Sequence, residues 1–199
     1  GRLLNFNLKY IDWEDPTQNL YHATEEFAVE SADGQHDARP DIVLFVNGIP
    51  FAVIECKAPD IPVEQAVEQT CRNQQPHYIP QLYAFAQIVM ATNKNEVRYA
   101  TPKKFWSIWK EQDADFLNRE MAQLIPDRTP TVQDKDIVSL FTPVRLLELT
   151  KYFVLFDYNV KKICRYQQYF AVKEILHTVK QHDEKGNRCG GVIWHTQGS

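Results

Sequence analysis

Arg39-Pro40-Asp41-Ile42-Val43-Leu44-Phe45-Val46-Asn47-Gly48-Ile49-Pro50-Phe51-Ala52-Val53-Ile54-Glu55-Cys56-Lys57 is two apolar runs joined by a turn, and it carries charges where charges are unwelcome. Runs this rich in Val, Ile, Leu and Phe form strands buried on at least one face. A buried Asp, Glu or Lys costs several kcal/mol unless it is paired or bound to a metal. Asp41, Glu55 and Lys57 therefore need compensation, and a divalent cation held by the carboxylates would supply it.

The chemistry that suits this pattern is metal-dependent hydrolysis of a phosphodiester. It needs carboxylate oxygens to hold the ion, an activated water, and a cation to meet the charge that develops on phosphorus. Asp41 and Glu55 are the expected ligands, with the main-chain carbonyl of Cys56. Lys57 lies two residues beyond Glu55, so on a strand it shares that side chain's face. There it can orient the attacking water or stabilise the transition state. The spacing also imposes a geometric condition. A plain two-residue hairpin loop at Asn47-Gly48 would set Asp41 against Ile54 and send Glu55 to the opposite face. The site thus requires a loop with an odd number of residues, or a bulge at Gly48 or near Pro50.

Outward from the hairpin, strand-like runs cover Phe6 to Trp13 and Glu26 to Glu30, with turn signals at Asp15-Pro16 and Ser31-Ala32-Asp33-Gly34. After Ala58-Pro59, the spacing of Val63, Ala66, Val67 and Thr70 predicts a helix. Ile88 to Ala91 and Val97 to Ala100 read as further strands, and residues 102 to 125 as one or two helices. The pattern is an α/β protein with a mixed sheet flanked by helices. Pro126 to Asp136 lacks periodicity, so a boundary is placed there, giving domains at 1–128 and 129–199. The second part is read as a helix within Leu140 to Phe156, with Val144, Leu147, Tyr152 and Leu155 on its apolar face, a helix over about Tyr166 to Lys180, and a buried strand over Gly190 to Thr196.

Composition bounds the possibilities. The 199 residues are 44% hydrophobic and 24% charged, with a formal net charge of −4 and no apolar run long enough to span a membrane. The opening Gly1-Arg2-Leu3 shows no signal peptide and reads as cut from something longer. Cys56, Cys71, Cys164 and Cys189 are widely spaced, which fits a reduced cytoplasmic setting. The six histidines show no ligand spacing. The acidic balance excludes a protein that coats nucleic acid by bulk charge, though not a local basic groove. The basic stretch Lys94, Arg98, Lys103, Lys104 reads as a solvated segment with Phe105 and Trp106 turned inward. Such a mixture also suits phosphates and bases.

Arg39 to Pro59 closely resembles the amino-terminal nuclease domain of the restriction (motor) subunit of type I restriction-modification enzymes, within the PD-(D/E)xK superfamily. Asn19-Leu20-Tyr21-His22-Ala23-Thr24-Glu25-Glu26-Phe27 is similar to the segment leading into that domain's strands. The resemblance implies a restriction-endonuclease-like core, Mg2+-dependent cleavage of double-stranded DNA, and the same roles for Asp41, Glu55 and Lys57. It also implies modification (methylation) and specificity subunits as partners. The family carries a Q-x-x-x-Y motif on the following helix. Here the glutamine is Gln69, a candidate contact to DNA or to the lysine, while Asn73 stands at the tyrosine position and Tyr78 is a candidate replacement in space. An early acidic residue is sometimes a further ligand in such cores, and Glu25 and Glu26 both qualify.

The carboxyl-terminal part carries a second resemblance. Gly191-Val192-Ile193-Trp194-His195-Thr196-Gln197-Gly198-Ser199 looks like the strand and opening of a phosphate-binding loop, with Gly198 and Ser199 at its start and the nucleotide-holding lysine beyond the last residue. Arg165-Tyr166-Gln167-Gln168-Tyr169-Phe170-Ala171 resembles the adenine-recognising glutamine motif of superfamily 2 helicases, making Gln168 the candidate for the adenine edge. The expectation is the first helices and strand of an incomplete RecA-like motor domain, with ATP a cofactor of the full-length protein only. The alternatives are a non-catalytic nuclease-fold module that binds DNA or subunits, or a helicase-associated repair nuclease.

Overall fold

The computed structural model describes residues 9–35, 37–103 and 105–194. The strands are β1 (Tyr21–Glu25), β2 (Val29–Glu30), β3 (Asp37–Ala38), β4 (Ile42–Val46), β5 (Ile49–Cys56), β6 (Ile88–Thr92), β7 (Val97–Ala100), β8 (Val154–Asp157) and β9 (Val160–Ile163). The helices are α1 (Val63–Asn73), α2 (Pro80–Phe85), α3 (Ala114–Leu124), α4 (Val132–Phe141), α5 (Pro143–Glu148) and α6 (Tyr166–Lys180), and a π-helical turn, Leu149–Phe153, follows α5. A five-stranded mixed sheet runs in the order β1-β4-β5-β6-β7. Only β5 and β6 are parallel, and α1 and α2 form the crossover between them. The α/β class with a mixed sheet and flanking helices is as expected.

Asn47 and Gly48 form a two-residue turn, both at positive φ (50° and 80°), between the paired Val46 and Ile49. That is the backbone a tight hairpin demands, and Asn-Gly is the pair best suited to it. Asn47 is also tied down: its Oδ1 accepts from Leu20 N–H at 2.7 Å, and its amide donates to the Tyr10 carbonyl at 2.8 Å. One residue further in, the register slips. Phe45 pairs with Pro50 but Leu44 pairs with Ala52, leaving Phe51 as the extra residue of a bulge. Phe51 and Ala52 consequently both face the larger core, and from there on the even-numbered residues Ile54 and Cys56 face it. Val53 faces the smaller core with Val43, Ile79, Leu82, Tyr83 and Val89. The irregularity expected near Pro50 is this bulge.

The larger core extends beyond the first 128 residues. Leu140, Leu146, Leu147, Leu149 and Tyr169 pack in one cluster with Val46, Phe51, Ile54, Met90 and Tyr99 of the sheet. Arg145 and Glu111 form a buried pair at 3.0 Å, their side chains 8% and 3% exposed. The guanidinium lies over Phe116 and Tyr169, at 4.8 and 4.6 Å from their ring centroids.

Several local expectations give way. Of Phe6 to Trp13, residues 6–8 lie outside the described set, and 9–13 are irregular, although Ile11 is buried. Glu26 adopts φ 46°, which breaks the Glu26–Glu30 run and leaves only Val29–Glu30 extended. Residues 102–125 do contain one helix, α3, within the expected one or two, but it is preceded by a stretch bridged through Tyr99 and Ser107. The segment from 126 is helical from Val132, because Thr131 and Asp134 form a capping box. The expected helix over 140–156 is interrupted at Thr142-Pro143 and ends at Phe153, and Leu155 belongs to a hairpin turning on Tyr158-Asn159 at positive φ. Val144, Tyr152 and Leu155 are accordingly exposed, and of the expected apolar face only Leu147 is buried. Residues 190–194 form no strand. Phe105 turns outward at 90% exposure instead of inward, while Trp106 packs against both smaller clusters.

Candidate active site

Because the bulge changes the parity of β5, Glu55 shares a sheet face with Val53 and Val43, the face to which Asp41, two residues before Val43, also belongs. Asp41 Oδ2 accepts the Cys56 N–H at 2.6 Å, which pins the carboxylate against the end of β5. Glu55 is fully buried. Gln69 and Asn73 lie four residues apart on α1, one helical turn, and reach it together. Gln69 Nε2 donates to Glu55 Oε2 at 2.8 Å, and Asn73 Nδ2 donates to Oε1 at 3.0 Å. Lys57 Nζ donates to Gln69 Oε1 at 2.5 Å. Gln69 thus joins the buried acid to the lysine.

Burial, and then the adjacent Asp41 carboxylate, push the Glu55 carboxyl up to about 8; Lys57 opposes the rise. A carboxyl so placed resists ionisation unless a cation makes it favourable. Among the described residues, no group of three or more His, Cys, Asp or Glu converges as a metal cage. The donor set is two carboxylates, with the Cys56 carbonyl next along the strand. Hard oxygen donors in this small number suit Mg2+, which keeps several of its waters. The energetically strained carboxylate pair fits such an ion. Glu25 and Glu26 are both exposed, and neither completes a three-acid cluster. The Cys56 thiol packs toward the larger core, and burial lifts it to about 11, an inert state.

Two further neighbours complete the surroundings of Glu55. Asn73 holds Glu55 directly, and its four-residue spacing from Gln69 was the available signal. Tyr83 on α2 is 3% exposed, and its hydroxyl makes no hydrogen bond among the described residues. Burial, followed by the Glu55 charge, raises its pKa, while nearby Asn73 tempers the rise. Tyr78 is not in that place. It sits under the Arg72 guanidinium, 5.4 Å from the ring centroid. Gln168 stands apart from this constellation at the start of α6, where its Oε1 accepts the Arg165 N–H at 2.9 Å. Gly198 and Ser199 lie outside the described residues.

Comparison with known proteins gives the family of the chain. The family model described as "Type I restriction enzyme R protein N terminus" matches residues 1–105. The chain belongs to that family. A second model, SWI2/SNF2 ATPase, matches residues 167–199. The chain is 30% identical over 206 residues to the type I restriction enzyme HindI endonuclease subunit of Haemophilus influenzae, covering 96% of this chain and 18% of that protein. It is 29% identical over 210 residues to the putative type I restriction enzyme MjaIXP endonuclease subunit of Methanocaldococcus jannaschii, covering 96% and 20% respectively. The chain therefore spans about a fifth of the length of the curated relatives it matches. Among the described residues no helix is long and apolar enough to cross a membrane.

Proposed function

We propose that this chain is the cutting domain of a type I restriction endonuclease subunit, hydrolysing double-stranded DNA with Mg2+. One observation carries the reading: the β5 bulge brings Asp41 and Glu55 to one face, where Gln69 links Glu55 to Lys57. The chemistry a bound Mg2+ contributes is charge neutralisation at the phosphate and a lowered pKa of coordinated water. Asp41 and Glu55 would hold that ion, with the Cys56 carbonyl as a further oxygen, and its charge would favour the ionised form of Glu55. Lys57, oriented by Gln69, holds the attacking water or the developing negative charge.

In the full-length protein, residues 129–199 open a RecA-like motor that translocates DNA with ATP, and Gln168 reads the adenine edge. Modification and specificity subunits choose the DNA, in the cytoplasm. The test is Mg2+-dependent linearisation of a plasmid by the full assembly, comparing wild type with Asp41→Ala and Lys57→Ala. The expected result is lost cleavage with ATPase activity retained, and undiminished cleavage by both variants would overturn the assignment.

A further inference from the structure

Lys57 lines a second feature besides the Glu55 constellation. An open cleft of about 410 Å³ is bounded by Lys57, Pro59, Lys94, Arg128, Thr131 and Asp134, among others. Its construction follows from the parallel pairing of β5 and β6. Cys56 pairs with Thr92, and Lys57 N–H donates to the Thr92 carbonyl at 2.8 Å, so the residues beyond both strands emerge side by side at their carboxyl ends. In open α/β sheets that is where ligands bind.

Lys94 occupies the β6–β7 turn, and the turn is held rigidly. Asn93 Oδ1 accepts the N–H groups of Asn95 and Glu96 at 2.9 and 2.8 Å, and Asn93 Nδ2 donates to the Ile61 carbonyl at 2.8 Å. Among the described residues the Lys94 side chain makes no ion pair or hydrogen bond, and it is exposed. Arg128 on the opposite wall is committed to Asp134 through two hydrogen bonds of 2.6 and 2.8 Å, so its charge is largely balanced. Even so, a guanidinium has five N–H donors, and Asp134 takes only part of that set. The cleft thus combines one unbalanced lysine, the lysine of the candidate catalytic set, and a polar wall capped by an ion pair.

We infer that this cleft is a seat for the DNA backbone, in which Lys94 holds a phosphate next to the one presented to Lys57, with Arg128 and Thr131 forming its far wall. The inference rests on the nuclease reading for its orientation, since Lys57 marks where the scissile phosphate lies. Phosphate contacts fix register without reading sequence, so the seat is indifferent to base identity. This suits a subunit whose target is chosen elsewhere in the assembly.

The test is fluorescence anisotropy of the chain with a short fluorescein-labelled duplex in EDTA, which keeps cleavage out of the measurement, across a series of salt concentrations. Lys94→Ala is expected to weaken binding about five- to tenfold, equally on unrelated sequences, and to reduce the slope of log affinity against log salt by about one. Lys94→Arg should restore both quantities. Lys180→Ala, on the exposed last turn of α6, is the control for bulk charge. An unchanged slope in Lys94→Ala, a loss as large in Lys180→Ala, or no measurable binding by wild type overturns the seat. The two readings fail separately. Weakened binding in Lys94→Ala beside undiminished plasmid cleavage by a Lys57→Ala assembly would uphold the seat and remove the catalytic assignment.

Discussion

Asn73 donates its side-chain amide to Glu55 Oε1 at 3.0 Å from one helical turn beyond Gln69, which holds the other oxygen. Tyr83 of α2 lies close by, packed in the smaller core, and both Glu55 and Asn73 act on its hydroxyl. The Asn73–Glu55 contact is buried, and it favours the ionised form of Glu55. Asn73→Ala should therefore destabilise the chain by about 1–3 kcal/mol, since it leaves a buried acceptor short of a partner. The loss should be larger at pH 9 than at pH 5, because the missing bond serves the charged carboxylate. Urea denaturation at the two pH values measures both effects, and an equal loss at each would show that Asn73 only fills space.

Gln69 hydrogen-bonds both Glu55 and Lys57. Truncating it leaves every candidate reacting group present but unpositioned. Partners that orient the ligands of a metal typically account for about 10- to 100-fold in affinity or activity. Gln69→Ala should lower plasmid cleavage by that factor and shift its Mg2+ midpoint upward, with far-ultraviolet circular dichroism unchanged. A fall in rate at an unaltered Mg2+ midpoint would assign Gln69 to Lys57 alone.

The pH dependence of stability follows from Glu55, whose carboxyl rises from 4.5 to about 8 in the folded chain. Below pH 4.5 the group is protonated in both states and contributes nothing. Between 4.5 and 8 the folded state holds the proton that the unfolded state has released, so stability falls as pH rises, and above 8 the full penalty is present. Asp41→Asn removes the neighbouring charge while keeping an oxygen for the Cys56 N–H. It should stabilise the metal-free chain at pH 8 by about 1–2 kcal/mol and flatten the decline. In wild type, Mg2+ should raise the melting temperature more at pH 8 than at pH 6, and in Asp41→Asn it should have no effect. Thermal melts with Mg2+ or EDTA decide the matter.

How much of this could be read from the sequence varies with the range of the forces involved. The hairpin, α1, the β6–β7 pair and α6 follow from local periodicity and turn chemistry, and the bulge follows from a chemical demand that Asp41 and Glu55 share a face. Elements set by tertiary contact were hidden. Tyr83 reaches the site only because α2 folds back over β5 and β6, and nothing in its spacing announces that. Lys94 reads as one charge in a solvated run until the parallel pairing of β5 and β6 sets it beside Lys57. The β8–β9 hairpin was masked by a continuous apolar pattern from Leu140 to Phe156, in which a strand and a helix are indistinguishable by content alone.

The Arg145–Glu111 pair bears on how the two parts of the chain are joined. Glu111 precedes the expected boundary at 128/129 and Arg145 follows it, and both side chains are almost wholly buried. Glu111 also accepts from Trp109 Nε1 at 3.2 Å, and its charge, after burial, helps push the nearby Asp136 carboxyl up to about 7. Removing the guanidinium leaves Glu111 an uncompensated buried charge that also acts on Asp136, at a cost of about 3–5 kcal/mol. Arg145→Ala should show that loss, and the double variant Glu111→Gln with Arg145→Met should recover most of it, because neither uncompensated charge remains. Since Leu140, Leu146 and Tyr169 share a core with Ile54 and Met90, unfolding should be one transition, coincident by tryptophan fluorescence and circular dichroism. Two separated transitions, with only the second sensitive to Arg145→Ala, would establish instead that the segments fold as independent units and that the buried pair belongs to one of them.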